Sequence, residues 1–199
     1  MSEDRVWYAA YGSNLSRERF ARYLCGGAPD GATVTHVYPG CRDPSDPLDD
    51  VADEIDLELA FGGTSLTWGG GVALVRPGPR RAKVRLYLLT REQFADVVAQ
   101  ENWIEPGTLF YEGPTTLDRA HVYRVVLVVG DRDGIPVVTL SQDSDVPLAR
   151  PSAAYLRHIA IGLRESHALS DDEIVDYLTS APGISGLIEA DEVAGAVSF

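Results

Sequence analysis

Two places in the chain carry residues suited to chemistry: a glycine bend at Tyr11-Gly12-Ser13-Asn14 and a lone acid, Glu101. The bend follows an aromatic, β-forming run that includes Val6, Trp7 and Tyr8. A helical pattern begins at about Ser16, with Phe20, Tyr23 and Leu24 at helical spacing. Where a strand stops at a glycine and a helix starts, backbone N–H groups lack intrahelical acceptors and can hold a carboxylate or an oxyanion. Gly12 can supply a positive φ or a close approach for a ligand, and Ser13 and Asn14 can bond nearby backbone. The same residues also suit a plain strand-to-helix turn.

Glu101 is singled out by periodicity. Thr90 and Gln93 form a capping box that opens a helix, and Phe94, Val97 and Val98 mark its apolar stripe. At about 100° per residue, Glu101 falls on that stripe and away from solvent. A carboxylate held there has a raised pKa, as a general acid/base near neutral pH requires. The competing arrangement is a glutamate at the helix end that reaches solvent or an arginine.

Other chemistry finds little footing. His36, His121, His158 and His167 are scattered without metal-ligand spacing, so no metal site is expected. No Gly-x-Ser-x-Gly elbow is present, and Ser13 has no evident histidine partner. Gly69-Gly70-Gly71 lacks the Lys and Ser/Thr of a phosphate loop and reads as a hairpin turn. Trp68 and Trp103 fit core packing first and a pocket wall second. The cysteines Cys25 and Cys41 read as reduced thiols.

The elements that must position these residues alternate between strand and turn for two thirds of the chain. Strands are expected at the aromatic run before Gly12, Thr33–Tyr38, Ile55–Phe61, Val72–Val75, Ala82–Leu89, His121–Val129 and Pro136–Leu140. Pro39–Asp53 reads as a loop and Gly130–Gly134 as a turn. Pro151 opens a late helix as a first-turn proline, with Tyr155, Ile159 and Leu163 along one side. Ser170 and Glu173 cap another helix that Gly183 closes. The expected class is α+β, around a curved, largely antiparallel sheet. Residues 1–199 read as one domain, with a tail from Ile184 to Phe199 that is a helix or a docked extension.

The net charge of -13 disfavours nucleic acid and anionic membrane as partners. The acidic runs at Asp43–Asp56 and Asp171–Asp176 read as solvated surface. The N-terminus lacks the basic-then-apolar layout of a signal peptide, and a cytoplasmic protein is expected. The oligomeric state stays open, a homodimer included.

The bend resembles the signature of the γ-glutamylcyclotransferase superfamily. Thr67-Trp68-Gly69-Gly70-Gly71-Val72-Ala73, Gln100-Glu101 and Pro151-Ser152-Ala153-Ala154-Tyr155 are similar to three further segments of that family, in the same order. The likeness spans about Val6 to Leu169, and is closest to an uncharacterised bacterial branch. Asn102 stands where glycine is usual, and the stretch after Val137 lacks a tyrosine some members carry. The resemblance implies a mixed, largely antiparallel β-barrel with flanking helices. It also implies cofactor-free release of 5-oxoproline and an amine from a small γ-glutamyl amide or peptide. Glu101 would be the acid/base, and Tyr11, Gly12, Ser13 and Asn14 would bind the substrate. Amide hydrolysis or acyl transfer in the same pocket, and a non-catalytic binding module, remain the alternatives.

Overall fold

The computed structural model describes residues 4–32, 37–117, 122–142 and 146–198. The run Thr33–Tyr38, His36, His121 and the start of the strand read at His121–Val129 lie wholly or partly outside these residues.

The centre of the main sheet is β1 (Arg5–Ala10), which is buried at every residue after Arg5. An unbroken apolar run with no polar alternation suits a strand covered on both faces. It pairs antiparallel with β5 (Ala82–Thr90), Tyr8 opposite Tyr87. On its other side it pairs parallel with β8 (Ile135–Ser141), Tyr8 opposite Val138. The edges are built by β2 (Asp49–Ile55) on β5, and by β7 (Val125–Arg132) and the two-residue β6 (Thr115–Thr116) beyond β8. The full order is β2-β5-β1-β8-β7-β6.

The sheet is open, which corrects the expected barrel. Strands β3 (Glu58–Gly62) and β4 (Val72–Arg76) form a separate two-stranded sheet. They join the rest through side chains and loops: Ser141 Oγ donates to Val75 O at 2.6 Å, and Phe61 N donates to Pro182 O at 2.7 Å. Among the described residues no backbone ladder crosses that gap, so the sheet does not close into a cylinder.

Two local readings also change. Part of the segment read as a loop is the edge strand β2, and the single strand read at Ile55–Phe61 breaks between β2 and β3. Edge strands carry charge to avoid pairing with other chains, which hides them from an apolar search. The β2 acids are not merely solvated: Asp50 pairs with Arg85 at 2.7 Å and Glu54 with Lys83 at 2.9 Å. The strand read as ending before Gly130 continues to Arg132, with a bulge between Val128 and Gly130 and the turn at Asp133-Gly134.

Helices cover both ends of this frame. Helix α1 (Arg17–Cys25) is capped by Ser16 and buries Phe20, Tyr23 and Leu24. Phe20 stacks on Tyr87 of β5 with ring centroids 4.1 Å apart. Helix α2 (Arg91–Glu101) has the expected Thr90–Gln93 capping box. Helix α3 (Ala153–His167) buries Tyr155, Ile159 and Leu163, with Ser152 as its cap, so Pro151 lies just outside it. Helix α4 (Asp171–Thr179) has the Ser170–Glu173 box, and α5 (Ala190–Val197) docks the tail through Val193, Ala196 and Val197. No helix among the described residues is long and apolar enough to cross a membrane. Cys25 and Cys41 are both free thiols.

One buried acid locks α2 in place. Asp96 has a fully buried side chain that accepts from Arg42 N at 2.9 Å, Arg42 Nη2 at 3.1 Å and Gly107 N at 2.8 Å. Replacing Asp96 with alanine strands two backbone donors and should destabilise the protein by about 1–3 kcal/mol in urea denaturation.

Candidate active site

The bend is a short 3-10 turn, Ser13–Leu15, entered at Gly12 directly from β1. Its opening N–H groups have no acceptor within the turn. Gly12 has φ -103, so a left-handed backbone is not what requires glycine here. Space is: an added Cβ would lie 2.9 Å from the Tyr155 hydroxyl and 3.4 Å from Ala73 Cβ. Behind the turn, Gly162 of α3 leaves room for Leu15 and Ser16 to rest on the helix backbone.

Glu101 closes α2 on the opposite wall. Its neighbour Gln100 is buried and ties the helix down, accepting from Gly40 N at 3.1 Å and donating to Tyr23 O at 3.0 Å. Glu101 itself is half-buried and accepts from Asn14 Nδ2 at 2.8 Å, which joins the two stretches separated by most of the N-terminal half. The same Nδ2 approaches the Tyr8 hydroxyl at 3.2 Å. Loss of water around the Glu101 carboxyl raises its pKa above the usual 4.5, opposed by the Arg19 charge and by hydrogen bonds from Tyr23 and Asn14.

Tyr11, Gly12, Ser13, Asn14 and Glu101 line one cavity. Tyr8, Tyr23, Tyr38, Tyr123 and Tyr155 contribute to its wall. Burial holds the phenols of Tyr8, Tyr11, Tyr23, Tyr123 and Tyr155 above their ordinary pKa, so they act as neutral hydrogen-bonding groups. The Tyr11 hydroxyl is committed to Leu140 O at 2.6 Å and braces β1 against β8. Trp68 is both core and wall: it stacks near-parallel on Tyr155 at 5.8 Å and lines the cavity. Trp103 is 38% exposed, in a left-handed backbone at φ 61, and also lines it.

Asn102 explains its own presence. Its side chain donates to Val98 O and accepts from Val122 N at 3.1 Å and Tyr123 N at 2.9 Å. Glycine could not make these bonds, which set Tyr123 into the wall. The Tyr123 hydroxyl then donates to Ala73 O at 3.2 Å.

Sequence reading missed Arg19. It is 4% exposed, and its guanidinium carbon lies 4.5 Å from the Tyr23 ring centroid and 4.8 Å from that of Tyr38. Arg19 precedes Tyr23 by one helical turn, so the spacing that turns Glu101 inward turns Arg19 inward as well. The described histidines stand outside the cavity wall: His158 Nε2 lies 2.9 Å from Asp30 O, and His167 Nε2 lies 3.1 Å from Asp53 O.

No protein-family model matches the chain. Histone deacetylase 5 of Arabidopsis thaliana is 30% identical over 203 residues, a match that takes in 88% of this chain. The chain spans only 30% of the length of that curated relative. Among solved structures, a gamma-glutamyl cyclotransferase matches with a TM-score of 0.60 at 20% identity, over 98% of each chain. An uncharacterized protein from Homo sapiens matches at 0.57 and 21% identity, over 99% of this chain and 100% of that one. YkqA from Bacillus subtilis matches at 0.51 and 16% identity, over 91% of this chain and 56% of that one. The chain therefore shares the fold of a gamma-glutamyl cyclotransferase and of these two further proteins.

Proposed function

We propose that the protein is a γ-glutamyl cyclotransferase that releases 5-oxoproline and an amine from a small γ-glutamyl amide or peptide. The observation that carries this reading is the 2.8 Å contact between Asn14 and Glu101 inside one cavity, with the glycine bend on its wall. The fold shared with a gamma-glutamyl cyclotransferase supports it.

The reaction needs little from the protein beyond shape and proton management. The α-amino nitrogen of the substrate attacks its own side-chain amide carbon, forming the ring C–N bond. Collapse of the adduct breaks the original C–N bond and expels the amine. Glu101 takes a proton from the α-ammonium and delivers one to the departing nitrogen. The N–H groups of Tyr11–Asn14 hold the substrate's α-carboxylate or the oxygen that gains charge. Nucleophile and electrophile share one molecule, so the protein has only the internal rotations of the substrate to freeze when it holds the chain in a ring-like conformation. No cofactor enters this scheme.

Incubation with a panel of γ-glutamyl dipeptides, γ-glutamyl amines and glutathione tests the reading by product identity. 5-Oxoproline with the free amine is expected. Free glutamate would assign hydrolysis, a new amide would assign acyl transfer, and an unchanged tightly bound ligand would assign a binding module.

A further inference from the structure

Two buried side chains on the cavity wall carry polar atoms with no hydrogen-bond partner among the described residues. One is Asn14, whose Oδ1 accepts no hydrogen bond while its Nδ2 is spent on Glu101. The other is Arg19, whose Nε and Nη1 donate to nothing while its Nη2 serves the Tyr23 and Tyr38 hydroxyls at 3.1 and 3.0 Å. Buried groups of this kind cost free energy unless something satisfies them. A buried guanidinium with open N–H donors on Nε and Nη1 calls for an anionic acceptor such as a carboxylate. An open amide oxygen next to a carboxylate fits an ammonium. One ligand head satisfies both: a charged amino group bonded to a carbon that also bears a carboxylate.

We propose that Arg19 is the specificity-determining residue that receives the α-carboxylate of the substrate, with the α-amino group lodged between Asn14 Oδ1 and Glu101. This rests on the γ-glutamyl reading for the identity of the ligand. It removes the ambiguity in the role of the glycine bend: with the carboxylate on Arg19, the bend's N–H groups serve the amide oxygen that gains charge. The two aromatic rings flanking Arg19 hold the guanidinium plane in one orientation before the ligand arrives, so little order is lost on binding. Asn14 acts as a positioning residue, turning the Glu101 carboxylate toward the amine.

The test uses two probes that cannot cyclise, because neither has an amino group: glutaramic acid, which keeps the carboxylate, and butyramide, which lacks it. Equilibrium binding to the full chain should favour glutaramic acid by about tenfold or more. In Arg19→Met the preference should fall to within about twofold, and in Arg19→Lys it should be intermediate, since a point charge replaces the planar fork. The wild-type comparison needs no variant, and Arg19→Lys carries the variant arm if Arg19→Met does not fold. Equal wild-type binding of the two probes, or an undiminished preference in Arg19→Met, would overturn the assignment. Binding that follows this pattern without 5-oxoproline formation would remove the cyclotransferase reading and leave the role of Arg19 standing. Turnover with the carboxylate preference intact in Arg19→Met would do the reverse.

Discussion

Glu101→Gln should lower turnover of a γ-glutamyl amide by about 10²–10⁴-fold, the range a positioned acid/base supplies. Glutamine keeps the shape of the side chain and can still bond Asn14 after its amide flips, so ligand binding should change far less than kcat. The same variant has a stability signature. Burial raises the Glu101 pKa above 4.5 in the folded protein, so the folded state retains a proton that the unfolded chain gives up. The stability tied to the protonated acid is complete below the unfolded value and is lost as pH rises through the folded one. Glutamine has no such loss. The Tm of Glu101→Gln should match wild type below about pH 4 and exceed it increasingly as pH rises toward neutrality. A gap that narrows with rising pH would mean that the charged form is the better accommodated one.

The second large effect is expected at Gly162, which packs behind the bend. A methyl group there meets Leu15 and the Ser16 nitrogen, which are backbone or core atoms that cannot rotate aside. Alanine ordinarily gains about 1 kcal/mol over glycine inside a helix. Overpacking should reverse the sign, so that Gly162→Ala loses about 1–3 kcal/mol in urea denaturation. Because α3 backs the turn that carries Ser13 and Asn14, KM should rise with the loss of stability. Gly195, in α5, is the matched control: nothing lies within 4 Å of an added Cβ, and Gly195→Ala should be neutral or stabilising. Equal behaviour of the two variants would show that α3 yields to the methyl group.

Much of this arrangement was legible in the residues themselves. The Thr90–Gln93 and Ser170–Glu173 boxes mark helix starts because a side chain and a backbone N–H satisfy each other locally. The inward turn of Glu101 follows from its offset from Phe94 and the valines. Less visible were features that depend on distant neighbours. The charged strand β2 gains its place from the ladder with β5, not from an apolar pattern of its own. Closure of the sheet depends on whether β4 and β8 share a ladder, and no local pattern encodes that. The choice of glycine at position 12 depends on the Tyr155 hydroxyl, which arrives from α3. Arg19 was readable in principle, but a charged residue in a helix turn next to Glu18 and Arg22 looks like surface until its inward phase is counted.

In the proposed reaction Glu101 manages protons for a ring closure within one substrate molecule. The most direct measurement is mass analysis of products from a γ-glutamyl peptide in isotopically labelled water, with wild type and Glu101→Gln side by side. Wild type should yield 5-oxoproline carrying no oxygen from the solvent, and the variant should yield almost none. Labelled glutamate from wild type, or 5-oxoproline from Glu101→Gln at the wild-type rate, would overturn this role for Glu101.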